Sequence, residues 1–414
     1  MSSEANSSGW EVFKHRDFAL YCGARFLSAT AIQMQTVAGS WLVYDLTESA
    51  LALGLAGLFA FLPAVGLVLV SGLVADRRDR RVILIVCYAV TTAAAFGFLM
   101  LAWTGPQSVW PIYGLIVIFG TARAFANPAG QALLPNLVPR AQLTRAVTWN
   151  SSAWQTAIIL GPALGGSLYG SDGTVAFAVA TALFVVTLGL LTAIRHRAPV
   201  RTATRAGWAD LVGGIQFIRG NRIILGAITL DLFAVLLGGA TALLPIYARD
   251  ILSVGAAGLG VLRSMPAIGA VSMAALLAVR PLQRRTGARM FQAVSVFGLA
   301  TIGLGFSTRF TAALICLFVL GAADMISVVI RHTLIQIETS DDMRGRVASV
   351  NSVFIGASNE LGEFESGLVA HLIGTAPAVV AGGIGTLAVA SLCAKWFPEL
   401  RHRDRLVAEP ASRI

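Results

Sequence analysis

Long apolar runs separated by short polar breaks fill this chain almost from end to end. A helix that crosses a bilayer needs about 20 mostly apolar residues. Runs of that length stand at 18–44, 50–75, 82–103, 111–134, 150–170, 173–194, 222–247, 256–279, 290–307, 310–333, 347–372 and 376–397. They predict an all-α polytopic membrane protein with twelve transmembrane helices and both termini on one side. Composition sharpens the class. The 414 residues are 56% hydrophobic and 13% charged, which excludes a set of soluble globular domains.

The polar breaks orient the bundle. Arg77, Arg78, Arg80 and Arg81 crowd the turn between the second and third runs, and further arginines collect at 135–149, 195–222, 280–289, 338–346 and beyond Lys395. The opposite connections hold only Arg249 and Arg309. This positive-inside asymmetry predicts cytoplasmic termini. It also accounts for the net charge of +10 as topology, with no nucleic-acid partner implied. Cys22, Cys87, Cys316 and Cys393 sit singly in apolar runs, so neither a metal site nor a disulfide is implied. The polar N-terminus lacks the pattern of a removable signal peptide.

The longest connection, at 195–221, divides the chain into two six-helix halves, 1–194 and 222–414. Within it Trp208, Leu211, Val212, Ile215 and Ile218 follow helical spacing and predict an amphipathic helix on the cytoplasmic membrane face. The halves repeat. Arg145-Ala-Val-Thr-Trp-Asn150-Ser151 matches Arg346-Val-Ala-Ser-Val-Asn351-Ser352 at an offset that also places Gly161 on Gly362 and Gly166 on Gly367. At nearly the same offset Pro63-Ala-Val-Gly66 matches Pro266-Ala-Ile-Gly269. A duplicated six-helix unit points to a secondary transporter.

Gly72-x-x-x-Asp76-Arg77-x-Asp79-Arg80-Arg81 resembles the signature loop between helices 2 and 3 of the major facilitator superfamily, with Asp79 where that pattern has Gly. The second-half copy is reduced to Arg285-Thr-Gly287-Ala-Arg289. Arg123 stands where drug:proton antiporters of the superfamily carry a helix-4 arginine, although Ala126-Asn127 replaces the Gln-Gly that follows. Gly161-Pro162-Ala-Leu-Gly165-Gly166 is similar to their helix-5 motif, with Ala157 in place of its leading Gly. The pattern looks most like the bacterial branch of enterobactin exporters and macrolide efflux proteins. That resemblance implies a monomer in the bacterial inner membrane, with a small-molecule substrate, protons as co-substrate, the bilayer as surroundings and no cofactor.

Ionisable groups inside spans are costly unless paired or in water, so each is a candidate for function. In the resembled family, spans 1, 4, 7 and 10 line the central cavity; here they hold Arg25, Arg123, Asp231 and Asp324. The repeat registers place Arg123 on Asp324 and Arg25 on Asp231. Arginines of one half would then pair with aspartates of the other, either as a switch broken by protons and substrate or as a permanent ion pair. Arg331, two helical turns after Asp324, and Arg263 are expected to snorkel toward the interface. Span 11 carries Glu360 and Glu363 on one face and Glu365 on another, as proton carriers or as partners for the arginines. The glycines at 161, 165 and 166 admit a close helix neighbour, and Pro162 bends the span. Asp76 is expected to latch the cytoplasmic side near Arg346, with Arg77 and Arg81 holding the loop.

Five scattered histidines, with no nucleophile–base cluster, HExxH or Walker loop, leave an enzyme reading without support. The expectation is therefore proton-coupled efflux of a small amphipathic, drug-like or siderophore-like compound. An uptake symporter and a lipid flippase are the alternatives on the same fold.

Overall fold

The computed structural model describes residues 9–195, 208–282, 284–340 and 342–404; the side chains at 64, 68, 69, 73, 75, 76 and 208–211 lie outside that description. Apolar composition drives every described element into helix, the one structure besides a closed barrel that satisfies its own backbone in lipid. In chain order the helices are α1 (Arg16–Thr47), α2 (Ala50–Arg77), α3 (Arg80–Thr104), α4 (Trp110–Leu133), α5 (Leu143–Ser171), α6 (Gly173–Ala193) and α7 (Trp208–Gly220). They continue with α8 (Arg222–Leu237), the one-turn α9 (Leu244–Ile246), α10 (Gly255–Val279), α11 (Thr286–Gly305), α12 (Phe310–Glu338), α13 (Arg344–Ile373), α14 (Thr375–Trp396) and the short α15 (Pro398–Arg401).

Nine described segments are long and apolar enough to cross a membrane, with α8, α9 and their flanking turns forming one of them over Arg222–Ile251. Three more, α1, α5 and α13, span 32, 29 and 30 residues and fall short on polarity alone. These three carry Arg25, Asn150 and the span-11 glutamates. Together the segments coincide with the twelve apolar runs.

The seventh span departs from the continuous helix its hydropathy suggests. It breaks at Gly238 and Gly239, continues as a 3-10 turn over Ala240–Leu243, and ends in a π-helical turn at Tyr247–Ile251. Two adjacent glycines are poor helix formers. They also let the chain run against α13: a Cβ on Gly239 would lie 2.5 Å from the Gly362 carbonyl oxygen, and one on Gly362 would lie 2.9 Å from that of Leu236.

The described chain divides into two compact units. One holds α1 up to Leu46, the chain from Leu62 through α6, and Ala256–Val261; the other holds Thr47–Phe61, α7 up to Gly255, and the chain from Leu262 onward. Two helices thus change unit along their length, α2 ahead of its internal Pro63 and α10 ahead of its internal Pro266. Those prolines are equivalent in the sequence repeat.

The segment before the first helix of each repeat docks on the same repeat helix. In the first unit a 3-10 turn, Gly9–Lys14, packs Trp10 and Phe13 on Trp149 of α5 with ring centroids 4.6 and 5.1 Å away, and His15 bonds Gln142 at 3.0 Å. In the second unit α7 lays Gly214 on α13, where a Cβ would sit 3.0 Å from the Arg346 carbonyl oxygen and 2.8 Å from Val350. Ile218 of α7 is buried there with Val347 and Val350. A helix does run over Trp208–Gly220, and its described apolar side chains are divided. Ile218 meets protein, while Val212 and Ile215 are 45% and 37% exposed.

Beyond α14, the tail folds back on the start of α11. Asp404 and Arg403 accept hydrogen bonds from the backbone N–H groups of Arg285, Thr286 and Gly287, three groups that the helix cannot satisfy itself. Leu400 is fully buried, and Arg403 pairs with Glu338 at 2.7 Å.

Candidate functional site

The charges that the sequence places inside spans fall into both units. In the second unit, Asp231 on α8 and Arg331 on α12 form a buried ion pair. Nη2 of Arg331 is 3.2 Å from a carboxylate oxygen of Asp231, with the side chains 3% and 7% exposed. Nη1 of Arg331 donates to Oδ1 of Asn351 on α13 at 3.1 Å. Three helices of one unit therefore converge on one guanidinium. Arg331 is not the snorkelling residue its position suggests. A planar, five-donor head fixed by a carboxylate and an amide has no need to reach the interface.

Asp324 lies two turns before Arg331 on the same face of α12. It lines a cavity of about 10 Å³ together with Asp231, Ser327, Val294 and Phe297. Among the described residues Asp324 has no hydrogen-bond or ion-pair partner. Two carboxylates thus share the neighbourhood of one guanidinium, which balances one of them.

The span-11 glutamates have different surroundings. Glu363 lies against α2, where a Cβ on Gly57 would be 3.0 Å from both Cβ and Oε2 of Glu363. Its carboxylate acts electrostatically on Arg263. Arg263 is half-buried with its Nε shielded and without a hydrogen-bond partner among the described residues, so it too departs from the snorkelling expected of it. Glu360, one turn earlier on the same face, is half-buried, and Glu365 accepts a hydrogen bond from Ser366 at 3.4 Å.

In the first unit the guanidinium of Arg25 on α1 lies 5.0 Å from the ring centroid of Trp154 on α5, a cation–π contact. Arg123 is exposed midway along α4. Neither arginine shares a unit with Asp231 or Asp324.

The Gly-Pro segment of α5 is a contact surface. A Cβ on Gly165 would lie 2.6 Å from the Cα of Met34 on α1, and one on Gly161 would meet Gln33 and the Thr30 carbonyl oxygen. Gly166 faces α10, where a Cβ would be 2.7 Å from Cα of Gly260. Its repeat equivalent, Gly367 on α13, faces α2 in the same way, with a Cβ 2.7 Å from Cα of Gly54. α5 runs through Pro162 without interruption.

At the basic turn Asp79 caps α3, accepting from the Arg81 N–H at 2.9 Å. That role explains an acid where the resembled pattern has Gly. Arg80 donates to the Ala132 carbonyl oxygen at the end of α4 (3.0 Å), and Arg81 donates to that of Thr192 at the end of α6 (2.6 Å). The turn ties two helix C-termini, whose spare carbonyls attract cations. Arg77 is exposed and makes no such contact among the described residues. Among the described residues nothing lies within 4 Å of a Cβ on Gly72. Asp76 falls in the last turn of α2 and its side chain lies outside the described residues.

Asn351, Ser327 and Trp154 were missed as site residues by sequence reasoning. A signal existed for Asn351, which the repeat aligns with Asn150. Ser327 stands between Asp324 and Arg331 on their shared face. Nothing in the sequence marks Trp154.

Comparison with known proteins agrees with this architecture. The family model for transmembrane secretion effectors matches residues 7–413. The multidrug efflux pump Tap of Mycobacterium tuberculosis is 26% identical over 404 residues, covering 92% of this chain and 93% of its own. The enterobactin exporter EntS of Escherichia coli O1:K1 is 24% identical over 397 residues, covering 94% and 93%. Among solved structures, a peptide transporter of the POT family superposes with a TM-score of 0.75 at 10% identity, over 96% of this chain and 99% of that one.

Proposed function

The chain belongs to the transmembrane secretion effector family of the major facilitator superfamily, and from that premise we propose that it exports a small amphipathic compound, drug-like or siderophore-like, in exchange for protons. The observation that carries this reading is that two carboxylates, Asp231 and Asp324, line one cavity inside membrane spans while one guanidinium, Arg331, pairs with the first of them. Such a group changes its net charge by one when a proton arrives, at a depth where unbalanced charge is expensive. The similarity to Tap, a multidrug efflux pump, and EntS, an exporter, supports the outward direction.

In this mechanism a proton entering from outside neutralises Asp324 or a span-11 glutamate, and its loss to the cytoplasm resets the site. Arg25 and Arg123 meet acidic or polarisable groups of the substrate. The glycine crossings at Gly166 and Gly367 part to open the outer side, and Asp76 with the basic turn closes the cytoplasmic side. The protein works as a monomer of two six-helix halves, in the bacterial inner membrane with both termini cytoplasmic.

Proteoliposomes with an imposed pH gradient test the reading. The wild type is expected to move one or more members of a mixed panel of dyes, antibiotics and siderophores against the proton gradient. The triple change Asp324→Asn, Glu360→Gln and Glu363→Gln is expected to abolish gradient-driven movement. Undiminished transport by the triple variant refutes the proton mechanism, and accumulation in the opposite direction indicates a symporter.

A further inference from the structure

Buried hydroxyls in these helices bond the carbonyl one turn back, as Thr30, Thr91, Thr181 and Thr301 do at 2.8–2.9 Å. Ser327 is an exception. It is 2% exposed, and its Oγ has no hydrogen-bond partner among the described residues. It lines the same small cavity as Asp231 and Asp324, on the α12 face they share with Arg331. That cavity, at about 10 Å³, has about the space one water molecule needs, and a buried water requires two to four polar partners. One hydroxyl and two carboxylates supply three.

We infer that Ser327 is a positioning residue that seats a single water between Asp231 and Asp324, so that the coupling proton is shared by both carboxylates. The inference rests on the proton-coupled reading above and names where that proton resides. The water accepts the Ser327 O–H and donates one hydrogen to each carboxylate. When a proton arrives, one carboxyl donates its O–H to the water and the water donates onward to the other, so one proton is bound and none is released. Arg331, held by Asp231 and Asn351, keeps the pair from collapsing onto itself. The groups that face this site are Asp231 from α8, Asp324 and Arg331 from α12 with His332 beside Arg331, and the neutral Asn351 from α13. Val294 and Phe297 of α11 close it with apolar surface.

Infrared difference spectroscopy of the purified full chain, recorded as pH is stepped, tests this without a known substrate. The wild type is expected to show a carboxyl band that titrates together with a broad continuum, the signature of a proton shared through water. Ser327→Ala is expected to lose the continuum and to move the titration midpoint by about one pH unit, tenfold in proton affinity. Ser327→Thr, which keeps the hydroxyl, is expected to restore both, with thermal unfolding confirming that each variant folds. A continuum and midpoint unchanged in Ser327→Ala overturn the role of Ser327 while leaving proton coupling intact. Absence of any titrating carboxyl band in the wild type overturns the proton-coupled reading itself.

Discussion

The guanidinium of Arg331 stands 3.2 Å from the carboxylate of Asp231, and both side chains are almost wholly removed from water. The pair joins α12 to α8 seven residues before that span breaks open at Gly238 and Gly239. Charge and loosened backbone therefore lie close together on one span, as in transporters whose broken helices line the binding site.

Breaking that pair from one side leaves the other charge buried and alone. Arg331→Ala or Asp231→Ala is expected to destabilise the protein by about 3–5 kcal/mol, whereas replacing both residues with apolar groups of similar volume is expected to cost much less. Thermal unfolding in detergent of the two single variants and the double variant checks the non-additivity.

The glycine crossings predict a contrast at equal chemistry. Gly367→Leu and Gly166→Leu place bulk where even a Cβ would lie 2.7 Å from a neighbouring backbone, so they are expected to wedge those crossings apart. The expected cost is about 1–3 kcal/mol. Gly72→Ala meets nothing among the described residues and is expected to be neutral or slightly stabilising, because Ala is the better helix former by about 1 kcal/mol. Cysteine-labelling rates near Gly54 and Gly260, together with melting temperatures, distinguish the two classes.

The basic turn separates into working and silent arginines. Arg80→Ala and Arg81→Ala each remove a hydrogen bond to a helix-terminal carbonyl and are expected to cost about 1 kcal/mol each. Asp79→Ala removes the α3 cap at a similar cost of about 1 kcal/mol. Arg77→Ala is expected to leave unfolding unchanged, so any effect it has on transport reflects gating. Parallel unfolding and transport measurements on the four variants decide this.

The tail that folds onto α11 is expected to behave as part of the core. Gly287→Ala drives a methyl into the Leu400 carbonyl and is expected to release the tail, which limited proteolysis detects as new cleavage after Phe397. Asp404→Ala is expected to cost about 1 kcal/mol, comparable to loss of a helix cap.

Hydropathy made the spans legible because a bilayer demands the same length of apolar chain wherever it is crossed. In-span charges marked spans 1, 4, 7, 10 and 11 as unusual, and the glycines of α5 lie against α1 and α10. Partnership was harder to read. Spacing placed Asp324 and Arg331 on one face of α12, but which helix lies opposite that face is a tertiary fact. Asp231 was therefore assigned a partner in the other half, whereas the structure gives it one in its own unit. The break at Gly238 and Gly239 lay within an apolar run whose hydropathy does not register backbone geometry.

The start of α11 takes its cap from a residue 119 positions further along the chain. α3, its counterpart in the repeat, takes its cap from the adjacent Asp79. During translation α3 is therefore complete as soon as it leaves the ribosome. α11 must wait, at ordinary elongation rates on the order of ten seconds, until α12, α13 and α14 have been made. The second half of the bundle is thus sealed by the last described residues to be synthesised. Its assembly is bound to the arrival of Asp404.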